Sequence, residues 1–194
     1  MYTVYGMRMT RTFRVLWMLE ELGVPYQHIP AAPRSTEITA VNTSGKVPAL
    51  AVGDQLLTDS MAILRYLADK HDNFTAPAGT IERARQEAWT FRILDEVEGL
   101  LWAASRHSYI LPEGQRVPAV VDAVKTEFAA SIERLGADFG GPYLMGDEVT
   151  VPDFLLAHCL GWARNAKFPD APEMLVDYAR RLRDRPAFQR AAAL

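Results

Sequence analysis

Asp59 and Ser60 stand side by side at the head of an apolar run, in the segment LTDSMAILRYL. A carboxylate next to a hydroxyl there supports two readings. Both residues are good helix N-caps, and an acid at a helix start is favoured by the helix dipole. The same geometry also makes a ligand site. Free N–H groups and the Ser60 hydroxyl suit a carboxylate, while the Asp59 carboxylate suits an ammonium. Together they recognise the head group of an α-amino acid. Upstream, in SGKVPAL, Val47 precedes Pro48. Proline lacks an N–H, so in a sheet it belongs at a strand start, an edge or a bulge. A cis Val47-Pro48 bond would turn the backbone sharply and present the N–H and C=O of Val47 to a ligand lying alongside.

Other chemistries find little support. His28, His71 and His107 show no metal-ligand spacing, and no metal is expected. The single cysteine, Cys159, cannot form an internal disulfide, a CxxC pair or a Cys-rich zinc site. It lies in an apolar helix beside His158 and reads as a buried thiol.

These residues need a scaffold. Thr3 to Tyr5 reads as a strand, and Thr10 or Thr12 caps a helix carrying Phe13, Val15, Leu16, Trp17, Leu19 and Leu22. Gly23 and Pro25 end it, and Tyr26 to Ile29 is a second strand. Residues 31–44 read as loop plus an irregular helix. Val47 to Val52 and Gln55 to Thr58 form a hairpin around Gly53-Asp54, and an apolar helix follows. HDNFTAPAGT, residues 71–80, breaks the pattern as a linker. Beyond it the chain is helical: Ile81 to about Ala104, Ala119 to about Ala137, Pro152 to about Asn165, and one or two helices after Pro172. The expected division is therefore 1–72, an α/β domain; 73–80, a linker; and 81–194, an all-helical domain.

The 194 residues, 49% hydrophobic and 23% charged, suffice to bury a real core. A net charge of -3 without runs of like sign argues against a nucleic-acid partner. The N-terminus lacks the apolar core of a signal peptide and no run is long enough to span a membrane, so no membrane partner and a cytoplasmic location are expected.

The ordered set Tyr5-Gly6, FRVLWMLEELGVPY, SGKVPAL and LTDSMAILRYL closely resembles the N-terminal domain of cytosolic glutathione transferases. GDEVTVPDFLL resembles a helix-capping segment of that family's second domain, with Thr150 as N-cap, Asp153 as N3, and Val149 with Phe154 as a staple. The resemblance covers essentially the whole chain. It implies the glutathione transferase fold: an α/β thioredoxin-like N-terminal domain plus an all-α C-terminal domain. It implies a bacterial member of serine/threonine type rather than cysteine type, with glutathione as co-substrate. The expected function is detoxifying conjugation of glutathione to small apolar electrophiles. The alternative is a non-catalytic binding or regulatory protein on the same scaffold.

By the same resemblance, Val47 precedes a cis-proline and its backbone pairs with the cysteinyl backbone of glutathione as an added strand. Asp59 and Ser60 hold the γ-glutamyl amine and carboxylate, and Lys46 stands near the glycyl carboxylate or in solvent. Thr43 lies in a loop where the family often has proline. Thr10 aligns with the family's catalytic serine, and Tyr5 lies near the position of its catalytic tyrosine. The backbone N–H group of Arg11 or of Thr12 would assist a thiolate. Each has a plainer reading: Thr10 as a helix cap, Tyr5 as a packed strand residue. Met7, Met9, Trp102, Arg106 and Tyr109 are expected to line the electrophile site, against core packing for Trp102 and solvent for Arg106. A homodimer is implied through the helices starting at Ser60 and near Ile81.

A magnitude bounds the thiolate's share of such catalysis. Lowering a thiol pKa from about 8.5 to about 6.5 raises the ionised fraction at pH 7 roughly 25-fold. A thiolate loses nucleophilicity as its pKa falls, which leaves a gain of about threefold. Positioning of the electrophile must supply more.

Overall fold

The computed structural model describes all residues, Met1–Leu194. They form two compact units: Met1–Thr75 together with Leu182–Leu194, and Ala76–Arg181.

The first unit is built on a four-stranded sheet in the order β2-β1-β3-β4, with β1 Tyr2–Tyr5, β2 Tyr26–Ile29, β3 Ala49–Val52 and β4 Gln55–Thr58. β1 and β2 run parallel and are joined by α1, Phe13–Leu22. β3 lies antiparallel to both β1 and β4. This is the thioredoxin-like arrangement expected. The hairpin turns at Gly53, whose φ of 61° suits a residue without Cβ. β3 begins at Ala49 and not at Val47, because Pro48 has no N–H to enter the ladder. A short α2, Thr36–Thr39, and α3, Ser60–His71, complete the α/β part. Val4, Val15, Leu16, Leu19, Ile63, Leu64 and Leu67 are fully buried, which is the outcome of strand alternation meeting helical stripes.

The expected assignment of all of 81–194 to the helical domain is corrected at its end. α9, Pro186–Ala193, packs on α1 and belongs to the first unit. Phe188 sits edge-on to Phe13 and Trp17, with ring centres 4.9 and 5.0 Å away. Arg185 forks onto the Glu21 carboxylate at 2.6 and 2.8 Å, and the Trp17 indole N–H donates to Glu21 at 2.9 Å. Arg190 reaches the Glu20 carboxylate at 2.7 Å. Small Ala187 and Ala191 are buried at the contact and let the helices approach.

The second unit is helical: α4 Ile81–Ile93, α5 Gly99–Ser105, α6 Pro118–Asp138, α7 Val151–Asn165 and most of α8, Glu173–Arg183. The single helix expected from Ile81 to Ala104 is interrupted by a wide π-type turn at Leu94–Glu98, and a second follows at Arg106–Ile110. The start of α7 follows the expected capping box. Asp153 is fully buried and accepts from the Thr150 N–H and hydroxyl, the Leu144 N–H and the Tyr178 hydroxyl. Burial pushes its carboxyl pKa up, against the pull of those donors. Cys159 is buried, with its thiol directed at Glu98. No helix is long and apolar enough to cross a membrane.

Candidate functional site

Sheet register brings the predicted residues together. Ala49 pairs with Tyr5 on one side and Thr58 on the other. One step beyond that row lie Gly6, Pro48 and Asp59. Three segments far apart in sequence therefore meet at one end of the sheet.

Val47-Pro48 is cis. Val47 is half-buried against Ala31, Ile38 and Ala49, beside Tyr5 and Leu56. Its backbone N–H and C=O have no partner in the protein. Asn42 shapes the preceding loop. Its amide donates to the Lys46 carbonyl at 2.9 Å, and its Oδ1 accepts from Ser44 N–H and Oγ–H at 3.2 and 2.9 Å. That clamp orders a loop in which Thr43 replaces the proline common in the resembling family. The Lys46 side chain is exposed, with no acceptor within the protein.

Asp59 caps α3. Its Oδ1 accepts the Met61 and Ala62 N–H groups at 2.9 and 3.1 Å, and Oδ2 faces no protein donor. The capping reading and the ligand reading thus coexist, one on each oxygen. Asp59 holds φ 70°, ψ 124°, a conformation that L-residues rarely adopt. Such strain costs about 1–3 kcal/mol and clusters at ligand clamps. Ser60 is buried at the first residue of α3, and its Oγ accepts from Arg14 Nη1 at 3.2 Å. A serine oxygen that accepts keeps its own proton to give. The pair therefore offers one free carboxylate oxygen and one free hydroxyl proton, the complement of an ammonium and a carboxylate.

Thr10 lies in the irregular turn Arg8–Thr12, where it is extended at φ -114°, ψ -171°. Its hydroxyl donates to the Met7 carbonyl at 2.7 Å and accepts the Thr12 N–H at 3.2 Å; the Thr12 hydroxyl lies 2.9 Å away. The expectation that the Thr12 N–H meets a thiolate is corrected: that N–H is spent on Thr10. Arg11 lies between them in the same turn. Gly6, at φ 139°, makes the close approach possible, since a Cβ there would fall 2.1 Å from Thr12 Oγ1 and 3.0 Å from Val47 Cβ. The Tyr5 ring follows its packed reading, against Ala31, Ile38 and Ala49.

Met7 and Met9 are exposed beside this turn. In the second unit Trp102 on α5, and Arg106 and Tyr109 in the turn after it, are also exposed, so the core reading of Trp102 is corrected. The sequence reading missed Asn42 and Arg14. Asn42 is legible as a turn former ahead of Ser44-Gly45. Arg14 is legible as a lone cation inside an apolar helical run.

Comparison with known proteins matches this geometry. Residues 1–69 fit the family model for the glutathione S-transferase N-terminal domain. The chain is 28% identical to glutathione S-transferase GstB of Escherichia coli K12, over 100% of this chain and 99% of that one. It is 29% identical to maleylacetoacetate isomerase of Rhizobium meliloti, over 95% and 92% of the two chains. Among solved structures, the theta class glutathione S-transferase of Xanthomonas axonopodis pv. citri, with glutathione bound, superposes at a TM-score of 0.78 with 29% identity, over 98% and 96%. Residues 1–69 are thus similar to a glutathione S-transferase N-terminal domain, and the chain has a thioredoxin-like α/β part followed by a helical part, as its glutathione transferase structural neighbours do.

Proposed function

We infer that the protein is a glutathione transferase that conjugates glutathione to small apolar electrophiles. The observation that carries this is the meeting of Val47, Asp59-Ser60 and the Thr10 turn at one sheet end. An extended tripeptide lies along Val47 as an added strand, its γ-glutamyl amine on Asp59 Oδ2 and its carboxylate on the Ser60 N–H and hydroxyl. Lys46 faces the glycyl carboxylate. The cysteinyl sulfur approaches Thr10, whose hydroxyl turns from the Met7 carbonyl to the thiolate. A threonine cannot act as a base at neutral pH; it stabilises charge by hydrogen bonding. Tyr5 is the second candidate, and the Arg11 N–H assists. Met7 and Met9 offer the electrophile a soft apolar wall. The protein works as a cytoplasmic homodimer.

A binding protein without turnover is the second reading, favoured by one observation: the Thr10 proton already has an acceptor in Met7. Calorimetry with glutathione and thiolate absorbance in wild type and Thr10→Ala separate the two. Binding with a thiolate signal that falls in the variant supports the transferase. Binding with no thiolate in either protein removes the catalytic claim, and absence of binding removes both readings.

A further inference from the structure

Arg14 is fully buried on α1, among residues that are otherwise apolar. A guanidinium out of water is costly unless it is paired and hydrogen-bonded. One of its bonds crosses 46 residues of chain to Ser60 Oγ, at 3.2 Å. This contact fixes the sense of the serine. The oxygen accepts from a cation, so the proton points elsewhere, and the adjacent charge makes it a stronger donor. No acceptor for that proton exists in the protein. Ser60 itself is buried, and an unspent buried donor costs free energy unless a ligand meets it. The neighbouring N–H groups of Met61 and Ala62 are already taken by Asp59. Ser60 is thus the group left at the head of α3 to receive an anion.

We propose that Arg14 is a positioning residue for the γ-glutamyl α-carboxylate of glutathione: it holds Ser60 with its proton turned toward the ligand and sets positive charge behind that donor. The inference rests on the glutathione reading of this site and adds a residue that does not itself touch the ligand. Its signature is selectivity. Losing Arg14 weakens a ligand that carries the α-carboxylate and spares one that lacks it.

The test is calorimetry on the full chain with two ligands, glutathione and its analogue 4-aminobutyryl-cysteinylglycine, in which that carboxylate is replaced by hydrogen. Arg14→Met is expected to weaken glutathione by about tenfold or more and the analogue by less than about twofold. In a Ser60→Ala background, Arg14→Met adds no further loss for glutathione. Circular dichroism and melting check the fold. Where Arg14→Met does not fold, Arg14→Lys, which keeps the charge but loses the planar fork, shows the same selectivity at smaller size. Ser60→Ala alone likewise loses glutathione and spares the analogue. Equal losses for both ligands, or a loss that persists without Ser60, overturn the proposal and leave Arg14 a purely structural role. A wild type that binds the analogue as tightly as glutathione overturns it while leaving the glutathione reading intact. Binding of neither ligand overturns the glutathione reading and this inference with it.

Discussion

Thr10 Oγ1 lies 2.7 Å from the Met7 carbonyl oxygen and donates its proton there. The hydroxyl that would face a thiolate thus has an internal acceptor to leave. The exchange is nearly even in enthalpy, and a charged acceptor makes the stronger bond. Thr10→Ala is expected to raise the pKa of bound glutathione by about one unit and, because greater nucleophilicity offsets most of the lost ionisation, to lower kcat by no more than about threefold. Thr10→Ser retains most of both. Thiolate absorbance against pH, together with conjugation kinetics, reads the outcome; unchanged values in Thr10→Ala transfer the role to Tyr5 or to backbone amides.

Asp59 divides its oxygens between cap and ligand, so its two tasks separate by substitution. Asn caps a helix about as well as Asp but carries no charge. Asp59→Asn should change stability by less than about 1 kcal/mol while weakening glutathione at least about tenfold. Asp59→Gly relieves the positive φ at the cost of the cap, and its stability should stay within about 1–2 kcal/mol of wild type. Denaturant melts and calorimetry decide both. A parallel fall of stability and affinity in Asp59→Asn would leave the residue a cap and nothing more.

Asp153 ties the loop before α7 to α8 through four donors. Two are backbone N–H groups that cannot become acceptors. Asp153→Ala should cost about 3–5 kcal/mol. Asp153→Asn places an NH2 against one of the two acceptor positions and should cost about 2–3 kcal/mol. Both are read from urea unfolding.

Glu20 supplies a pH signature. Burial alone would raise its pKa, but the bonds from Arg190 and Tyr26 outweigh that and hold it below the ordinary value. A depressed carboxyl contributes stability that is present above the unfolded value, about 4.3, and is lost as pH falls through the lower folded one. Arg190→Gln removes part of the depression. The difference in melting temperature between wild type and Arg190→Gln should therefore shrink as pH falls below about 4. A constant difference across that range would show that Arg190 acts through packing alone.

The strands and the hairpin were legible because Thr3 to Tyr5, Tyr26 to Ile29 and the Gly53 turn carry local strand and turn signals, whereas the order β2-β1-β3-β4 needs the tertiary structure. Val47-Pro48 and Asp59-Ser60 each have a plain local use, as strand start and helix cap, and only their place in the ordered set of motifs singled them out as a candidate site. The interruptions at Leu94–Glu98 and Arg106–Ile110 were not, since π-type turns use the same residues as α-helix. The fate of α9 was hidden for a related reason. PAFQRAAA is amphipathic, but nothing local says which surface its Phe188 will cover. The Arg14–Ser60 bond was out of reach because each partner has a bland local reading, and only tertiary structure joins them.

Because Leu182–Leu194 folds against α1, the first unit is discontinuous in the chain, with Ala76–Arg181 inserted between its parts. On the ribosome, the half that carries Asp59 and Ser60 emerges early and must wait for the last helix before the Phe13 and Trp17 rings are covered. Cutting the connection after Thr75 would consequently yield a fragment that keeps the glutathione-facing groups yet exposes a greasy flank, an invitation to self-association.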